Sequence, residues 1–323
     1  MKRLSSGRIR PIVIGRLLLT ALWLGACGAT VAAETADRAT DSLQQLGGMT
    51  PPAAGGAAPT ALSQRWELDP ETKQGRWVVR PYQPLFLLIA RYSDRPNDSP
   101  QTPTHPVSES VPLDDTEAEF QLSLKTKGAE NMFGSNADLW FAYTQQSQWQ
   151  VYNHDISAPF RETNYQPEVF VLFPVRYDFA GLTGRFVTLG WVHQSNGRTN
   201  PLSRSWNRIY AQLGFERGDF ALLVRPWYRL KEDPAEDDNP DIERYLGHGD
   251  VNAIYRWGAQ QISLLGRYNF GTGYGALQAT WSLPLDGRLR GYVKLFSGYG
   301  ESLIDYNWRQ TTIGIGVLLA DWL

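Results

Sequence analysis

Cysteine is almost missing from this chain of 323 residues: there is one, Cys27, alongside three methionines. A single thiol cannot build a disulfide framework or a cysteine metal cluster, and its scarcity suits an oxidising compartment reached without disulfides. Charge of one sign is missing too. Lys and Arg number 31 against 33 Asp and Glu, for a formal net charge of -2. No basic run occurs outside the extreme N-terminus, so nucleic acid is not an expected partner. Long hydrophobic runs are absent after the first segment. No later stretch reaches the ~18 apolar residues that a transmembrane helix needs, so any mature chain that enters a membrane must do so as strands. Aromatic residues are plentiful instead, with 12 Trp, 15 Tyr and 13 Phe, enough to furnish interfacial girdles around such strands.

The N-terminus has the layout of an export signal. Lys2, Arg3, Arg8 and Arg10 form a basic lead, a largely apolar stretch runs from Pro11 to Ala33, and Val31-Ala32-Ala33 is a small-residue cleavage site. This predicts a signal peptide over residues 1–33. An uncleaved anchor is the alternative, opposed by Arg16, which interrupts the apolar stretch. Cys27 closes Leu24-Gly25-Ala26-Cys27 and either serves as a lipidation site or leaves with the signal. Residues 34–80 are rich in Ala, Gly, Pro, Thr and Gln, including Pro51-Pro52-Ala53-Ala54-Gly55-Gly56, and are expected to form a disordered lead with no core of their own.

From about residue 81 the texture changes to segments with period-two alternation separated by turn residues. About twelve strands are predicted: 84–92, 117–125, 137–153, 166–177, 184–195, 205–216, 219–230, 243–257, 260–270, 273–283, 287–297 and 307–321. In the ninth, Ile262, Leu264, Gly266, Tyr268 and Phe270 oppose Gln261, Ser263, Leu265, Arg267 and Asn269. In the last, Thr311, Ile313, Ile315, Val317 and Leu319 oppose Gln310, Thr312, Gly314 and Gly316. Alternation alone also fits a soluble sandwich. Loop lengths discriminate, because short links at 178–184, 216–219, 257–260 and 284–287 alternate with longer ones at 91–116, 154–165, 196–204, 231–242 and 297–306. The short link at 271–273 is the exception. An even strand count with short turns at one end and longer loops at the other predicts an all-β fold, a transmembrane antiparallel β-barrel over residues 81–323. Closure also removes the edges that hydrocarbon would not tolerate.

The stretch that carries chemistry runs from Trp191 to Arg208. His193 and Ser195 lie two apart at a strand end and leave the same face as Val187, Leu189 and Trp191. On the next strand Asn207 shares parity with Ile209, Ala211, Leu213 and Phe215. All three polar groups are therefore predicted on the apolar, lipid-facing wall near the long-loop end, where polarity is costly and marks function. They supply a nucleophile, a base that can take its proton, and an amide that can orient the base. The competing reading, interfacial polar residues where strands leave the membrane, stays open on these residues alone.

The same stretch, His193-Gln194-Ser195-Asn196-Gly197-Arg198 through Ser203-Arg204-Ser205-Trp206-Asn207-Arg208, resembles the active-site region of the outer membrane phospholipase A family. So do Ser157-Ala158-Pro159-Phe160-Arg161-Glu162-Thr163-Asn164-Tyr165, Asp238-Asn239-Pro240-Asp241-Ile242, Asn269-Phe270-Gly271-Thr272-Gly273-Tyr274-Gly275, and the run from Ser297 to Tyr306. The motifs keep their order and cover most of the chain after about residue 117. The resemblance implies an outer-membrane enzyme that hydrolyses sn-1 and sn-2 acyl esters of phospholipids, and lysophospholipids, and is active as a reversible homodimer. It implies Ser195 as nucleophile, His193 as general base and Asn207 as its orienter. It further implies calcium, held by the backbone carbonyl of Arg198, the hydroxyl of Ser203 and, from a second copy, Ser157, with Gln145 at the dimer contact. No carboxylate is expected in that metal set. A calcium ion would polarise the ester carbonyl.

The remaining polar clusters are read more plainly. Asp237, Asp238 and Asp241 lack regular calcium-loop spacing and are expected to be a solvated loop. His105, His154 and His248 are loop histidines with no matching base or metal cluster. The chain departs from the family pattern at Ala158, where a second hydroxyl is common, and at Leu323, where an aromatic end is usual. The lead at 34–80 has no recognisable counterpart. A passive porin or a structural barrel is the alternative function; the porin does not explain a histidine and a serine facing lipid, and a structural barrel calls for long outer loops where these are short.

Overall fold

The structure, a computed structural model, describes residues 59–106 and 110–323. The export segment, Cys27 and the lead as far as residue 58 lie outside the described residues. Thirteen strands follow in chain order: β1 (Val79–Pro81), β2 (Leu85–Ser93), β3 (Thr116–Met132), β4 (Ala137–Trp149), β5 (Phe160–Phe179), β6 (Leu182–Ser195), β7 (Ser205–Arg217), β8 (Phe220–Leu230), β9 (Gly249–Trp257), β10 (Gln260–Tyr268), β11 (Gly275–Asp286), β12 (Leu289–Tyr299) and β13 (Arg309–Ala320). From β2 onward each strand pairs antiparallel with the next, and β13 pairs with β2, so twelve strands close into a ring. β1 is a thirteenth, three-residue strand on β3, placing Val79 opposite Thr126. Among the described residues no helix is long and apolar enough to cross a membrane.

The predicted faces hold, and they are inverted relative to a soluble protein. Leu189, Ile209, Leu264, Leu295, Ile313, Ile315 and Leu319 are exposed on the outer wall, while Glu119, Lys127, Arg208, Asn252 and Lys294 are buried on the inner one. Apolar-out and polar-in is what a strand crossing lipid around a polar lumen requires. The inner charges are compensated at close range. Arg91 donates to Glu117 at 2.6 Å and to Glu301, and Lys294 pairs with Glu119 and, at 3.0 Å, with Glu301. Burial pulls the Glu301 carboxyl upward, but Arg91 and Lys294 outweigh it and hold this loop residue far below the usual carboxylate range.

The turns follow from local chemistry. β5 and β6 are joined by Ala180-Gly181, both at positive φ (51° and 78°), the geometry that matches the right-handed twist of a two-residue hairpin. The strand predicted over 243–257 is corrected at its start. Ile242–Leu246 form a short helix, α2, and β9 begins only at Gly249. The ladder to β8 pairs Pro226 with Gly249 at the start of β9, and Trp227 N–H still donates to the His248 carbonyl at 2.8 Å. Ile242 and Leu246, four apart, instead turn one helical face into the core.

The lead is also corrected. It was expected to stay without structure to residue 80, yet its described part folds. A helix, α1 (Ala61–Trp66), begins with Thr60 accepting the Ser63 N–H at 3.1 Å and ends at Glu67 in the left-handed region. Leu62 and Trp66 are buried, and Trp66 packs against Tyr82, Phe170 and Phe186 inside the barrel. Arg80 and Lys127 both bind Glu67, the latter at 2.9 Å. A segment too polar to build its own core is ordered by one the barrel supplies. At the other end, the loop from Gly300 to Trp308 folds inward: Leu303 N–H donates to Asn164 at 2.9 Å and Tyr306 donates to Asp241 at 2.6 Å. The lumen is thus packed from both ends, around a polar cavity of about 150 Å³ lined in part by Gln83, Arg225, Asp250, Lys294 and Glu301.

Candidate active site

β6 and β7 bring the three chemical groups together by register. His193 is the direct cross-strand partner of Asn207, and Ser195 of Ser205. Trp191 and Ile209 are exposed on the same wall, so His193, Ser195 and Asn207 lie on the outer, apolar face, at the end of the hairpin nearest the long loop. All three are half-buried. His193 Nδ1 and Asn207 Oδ1 are 3.0 Å apart, and the Trp191 ring lies beside the imidazole, 6.4 Å between centroids and 21° between planes. Ser195 forms no hydrogen bond to the imidazole, a common looseness before substrate tightens a site.

The inner face of this hairpin stiffens it. Gln194, between His193 and Ser195, points inward and accepts from Trp206 Nε1 at 2.9 Å and from Arg208 Nη2 at 3.1 Å. The Arg208 guanidinium lies 3.9 Å from the Trp206 ring centroid. Rigid backing of this kind keeps outward side chains at a fixed spacing.

Two residues that the sequence reading passed over complete the site. Buried Asn196 ties the β6–β7 loop at both ends: its Oδ1 accepts from Arg204 N–H at 2.9 Å and Arg198 N–H at 3.3 Å, and its Nδ2 donates to the Leu202 carbonyl at 2.8 Å. An Asn directly after a strand-end serine is the turn-forming signal that pointed to it. The second is Glu232, from the β8–β9 loop, whose Oε1 accepts from Asn207 Nδ2 at 3.0 Å. Nothing local in the sequence marks it. Burial raises the Glu232 carboxyl above the usual range, the Asn207 hydrogen bond lowers it, Asp237 and Asp238 push it up, and Arg229 pulls it down.

The residues implied as metal ligands fall into two groups. Arg198 and Ser203 lie in the loop that Asn196 pins, whereas Ser157 is exposed in the β4–β5 loop, left-handed at φ 65° with its N–H on His154 O. The Ser203 hydroxyl donates to Asp238, whose other oxygen is 2.9 Å from His105 Nε2. That corrects one reading: Asp238 is not merely solvated but stands behind Ser203. His105 likewise has a partner. Asp237 is buried in a two-pronged bond to Arg229, and Asp241 accepts from Tyr306. With its proton committed to Asp238, the Ser203 oxygen keeps its lone pairs for a cation, so this neutral-oxygen set fits calcium chemistry. Among the described residues no group of three or more His, Cys, Asp or Glu forms a metal cluster.

Gln145 stands on the outer face of β4, between Leu122 of β3 and Tyr165 of β5 in register. Tyr165 in turn pairs with Ser195. One row of the wall therefore runs Leu122, Gln145, Tyr165, Ser195, placing Gln145 two strands, roughly 10 Å, from the candidate nucleophile. Its side chain accepts from Tyr143 at 3.2 Å and donates to Ser147 at 3.3 Å.

Comparison with known proteins adds to this geometry. The sequence profile of the phospholipase A1 family matches residues 62–319, which takes in all of α1 after its first residue and so gives part of the lead a family counterpart. The chain is 45% identical over 271 residues to a putative phospholipase A1 of Neisseria meningitidis, covering 81% of this chain and 70% of that one. It is 42% identical over 245 residues to the phospholipase A1 of Escherichia coli K12, covering 76% and 82%. Among solved structures, it resembles the Salmonella typhi outer membrane phospholipase dimer with bound calcium, with a TM-score of 0.71, 36% identity, and 83% and 100% coverage. The outer membrane phospholipase A from Escherichia coli gives a TM-score of 0.68 at 38% identity, covering 76% and 95%.

Proposed function

The chain belongs to the phospholipase A1 family, and from that premise we propose that it is a calcium-dependent phospholipase of the outer membrane, cleaving sn-1 and sn-2 acyl esters of phospholipids and lysophospholipids with Ser195, His193 and Asn207. The observation that carries the reading is the His193–Asn207 contact at 3.0 Å on the same outward face as Ser195. Ser195 Oγ attacks the ester carbonyl while His193 Nε2 takes its proton; the imidazolium then protonates the departing alcohol oxygen of the lipid. Water repeats the sequence on the acyl-serine, releasing the fatty acid and restoring the hydroxyl. Asn207 accepts from Nδ1–H, keeping Nε2 bare and aimed at Ser195. An amide gives this orientation without the desolvation cost of a carboxylate on a lipid-facing wall.

Arg198 carbonyl and Ser203 hydroxyl would hold the calcium ion, with Ser157 supplied by a second copy. When bound, the ion supplies positive charge where the carbonyl oxygen becomes negative. Support for a reversible homodimer comes from the row joining Gln145 to Ser195 and from the calcium-bound dimeric relative. A half-buried amide in hydrocarbon gains by meeting a second one. The packed lumen gives a passive porin no support.

The test is acyl release by purified protein from phospholipid micelles labelled at one acyl position or the other, with calcium or with chelator. Release from both positions, lost in chelator while the barrel stays folded, is expected. Full turnover in excess chelator would remove calcium from the mechanism, and release from one position alone would narrow the specificity.

A further inference from the structure

We propose that Glu232 is a positioning residue that acts through Asn207 to select the proton-accepting tautomer of His193. The inference rests on the catalytic reading above and deepens it.

An asparagine amide can face an imidazole in two ways. With Oδ1 toward His193, it accepts from Nδ1–H and leaves Nε2 as a bare base facing Ser195. Turned over, its Nδ2 donates to Nδ1, and the ring proton moves to Nε2, where it blocks proton transfer. Asn207 alone has no preference strong enough to exclude the second state, because oxygen and nitrogen ends are nearly the same size. Glu232 breaks that symmetry. Its Oε1 lies 3.0 Å from Asn207 Nδ2, and an ionised carboxylate only accepts. The turned-over amide would present Oδ1 to it, oxygen against oxygen.

The position of Glu232 also separates charge from lipid. Asn207 is in a strand of the barrel wall, whereas Glu232 sits two residues beyond the end of β8, in the loop. Leu230, the last residue of β8, is the cross-strand partner of Asn207, so the chain past it folds back over the amide. The charged groups acting on Glu232 are Asp237, Asp238 and Arg229, and Arg229 is already held by Asp237 at 2.8 Å. Glu232 is therefore left to the amide rather than drawn into an ion pair with that arginine. The neutral triad member stays in the wall, and the charge that orients it stands one loop away.

The experiment compares Glu232→Ala, Asn207→Ala and the double variant, with Ser195→Ala and His193→Ala as references. The readouts are kcat and KM on phospholipid micelles and the imidazole nitrogen spectrum of protein labelled with ¹⁵N-histidine. The chain has only four histidines, so His193 can be assigned by its loss in one variant. Glu232 lies in a loop, and heat-modifiable migration checks that the barrel is intact. Glu232→Ala is expected to lower kcat about tenfold at unchanged KM, the order of a coupling between touching side chains. The double variant should be no slower than Asn207→Ala alone, and His193 should shift from Nδ1–H toward a mixture of tautomers. Wild-type kcat and an unchanged His193 spectrum in Glu232→Ala would overturn the proposal, as would additive losses in the double variant. If Ser195→Ala or His193→Ala stays active, the catalytic reading itself has failed, a different outcome from a silent Glu232 with both references inactive.

Discussion

The two faces of the same barrel wall solve opposite problems with polar residues. The inner face carries full charges and cancels them in clusters: Arg91, Lys294, Glu117, Glu119 and Glu301 form one connected set, with Arg161 bridging Glu117 to Asp305 at 3.0 Å each. The outer face carries no such cluster around the site. Its candidate groups are a hydroxyl, an imidazole and an amide, and the carboxylates bonded to Asn207 and Ser203, Glu232 and Asp238, come from the β8–β9 loop. The difference follows from the two solvents. In the lumen a charge finds its opposite within hydrogen-bond reach, whereas on the outer wall an unpaired charge meets hydrocarbon. Chemistry on the lipid side therefore has to be assembled from neutral side chains, with charge recruited from loops.

The comparison can be broken at three places, in decreasing order of effect. On the outer face, His193→Ala removes the base and should lower kcat roughly a thousandfold or more, while Asn207→Ala should lose less, by about a factor of ten to a hundred. Equal losses in initial-rate assays would mean that the amide does more than orient. On the inner face, Lys294→Met leaves Glu119 and Glu301 short of a cation and should destabilise the barrel by about 3–5 kcal/mol in reversible urea unfolding, with little change in the kcat of folded protein. Smallest is Ile315→Arg, a charge placed on the outer wall near the middle of β13. It should cost about 2–4 kcal/mol in a bilayer and far less in detergent, where the side chain can reach water.

Much of this contrast was legible in the sequence, for a reason rooted in strand geometry. Period-two alternation reports which residues share a face, so His193, Ser195 and Asn207 could be placed on one wall before any contact was known, and alternating loop lengths closed the barrel. What escaped was whatever depends on a partner distant in the chain. Residues 59–80 have too little apolar character to fold alone, and only the aromatic interior formed by Phe170 and Phe186 orders Trp66. The helix at Ile242–Leu246 has its apolar residues at 242, 245 and 246, a helical spacing, but five residues are too short a window to set it apart from the strand that follows. Asp238 appears as one acid in an acidic loop until the fold sets it against Ser203 and His105. Glu232 is 25 residues from the amide it binds.

The central claim is that ester hydrolysis takes place at a serine on the outer wall. Ser195→Ala tests it most directly, through acyl release from phospholipid micelles by protein whose heat-modifiable migration shows an intact barrel. The account predicts loss of nearly all activity with an unchanged fold. A folded Ser195→Ala protein that keeps more than about a tenth of wild-type turnover would contradict it, because removing the nucleophile of such a triad costs orders of magnitude.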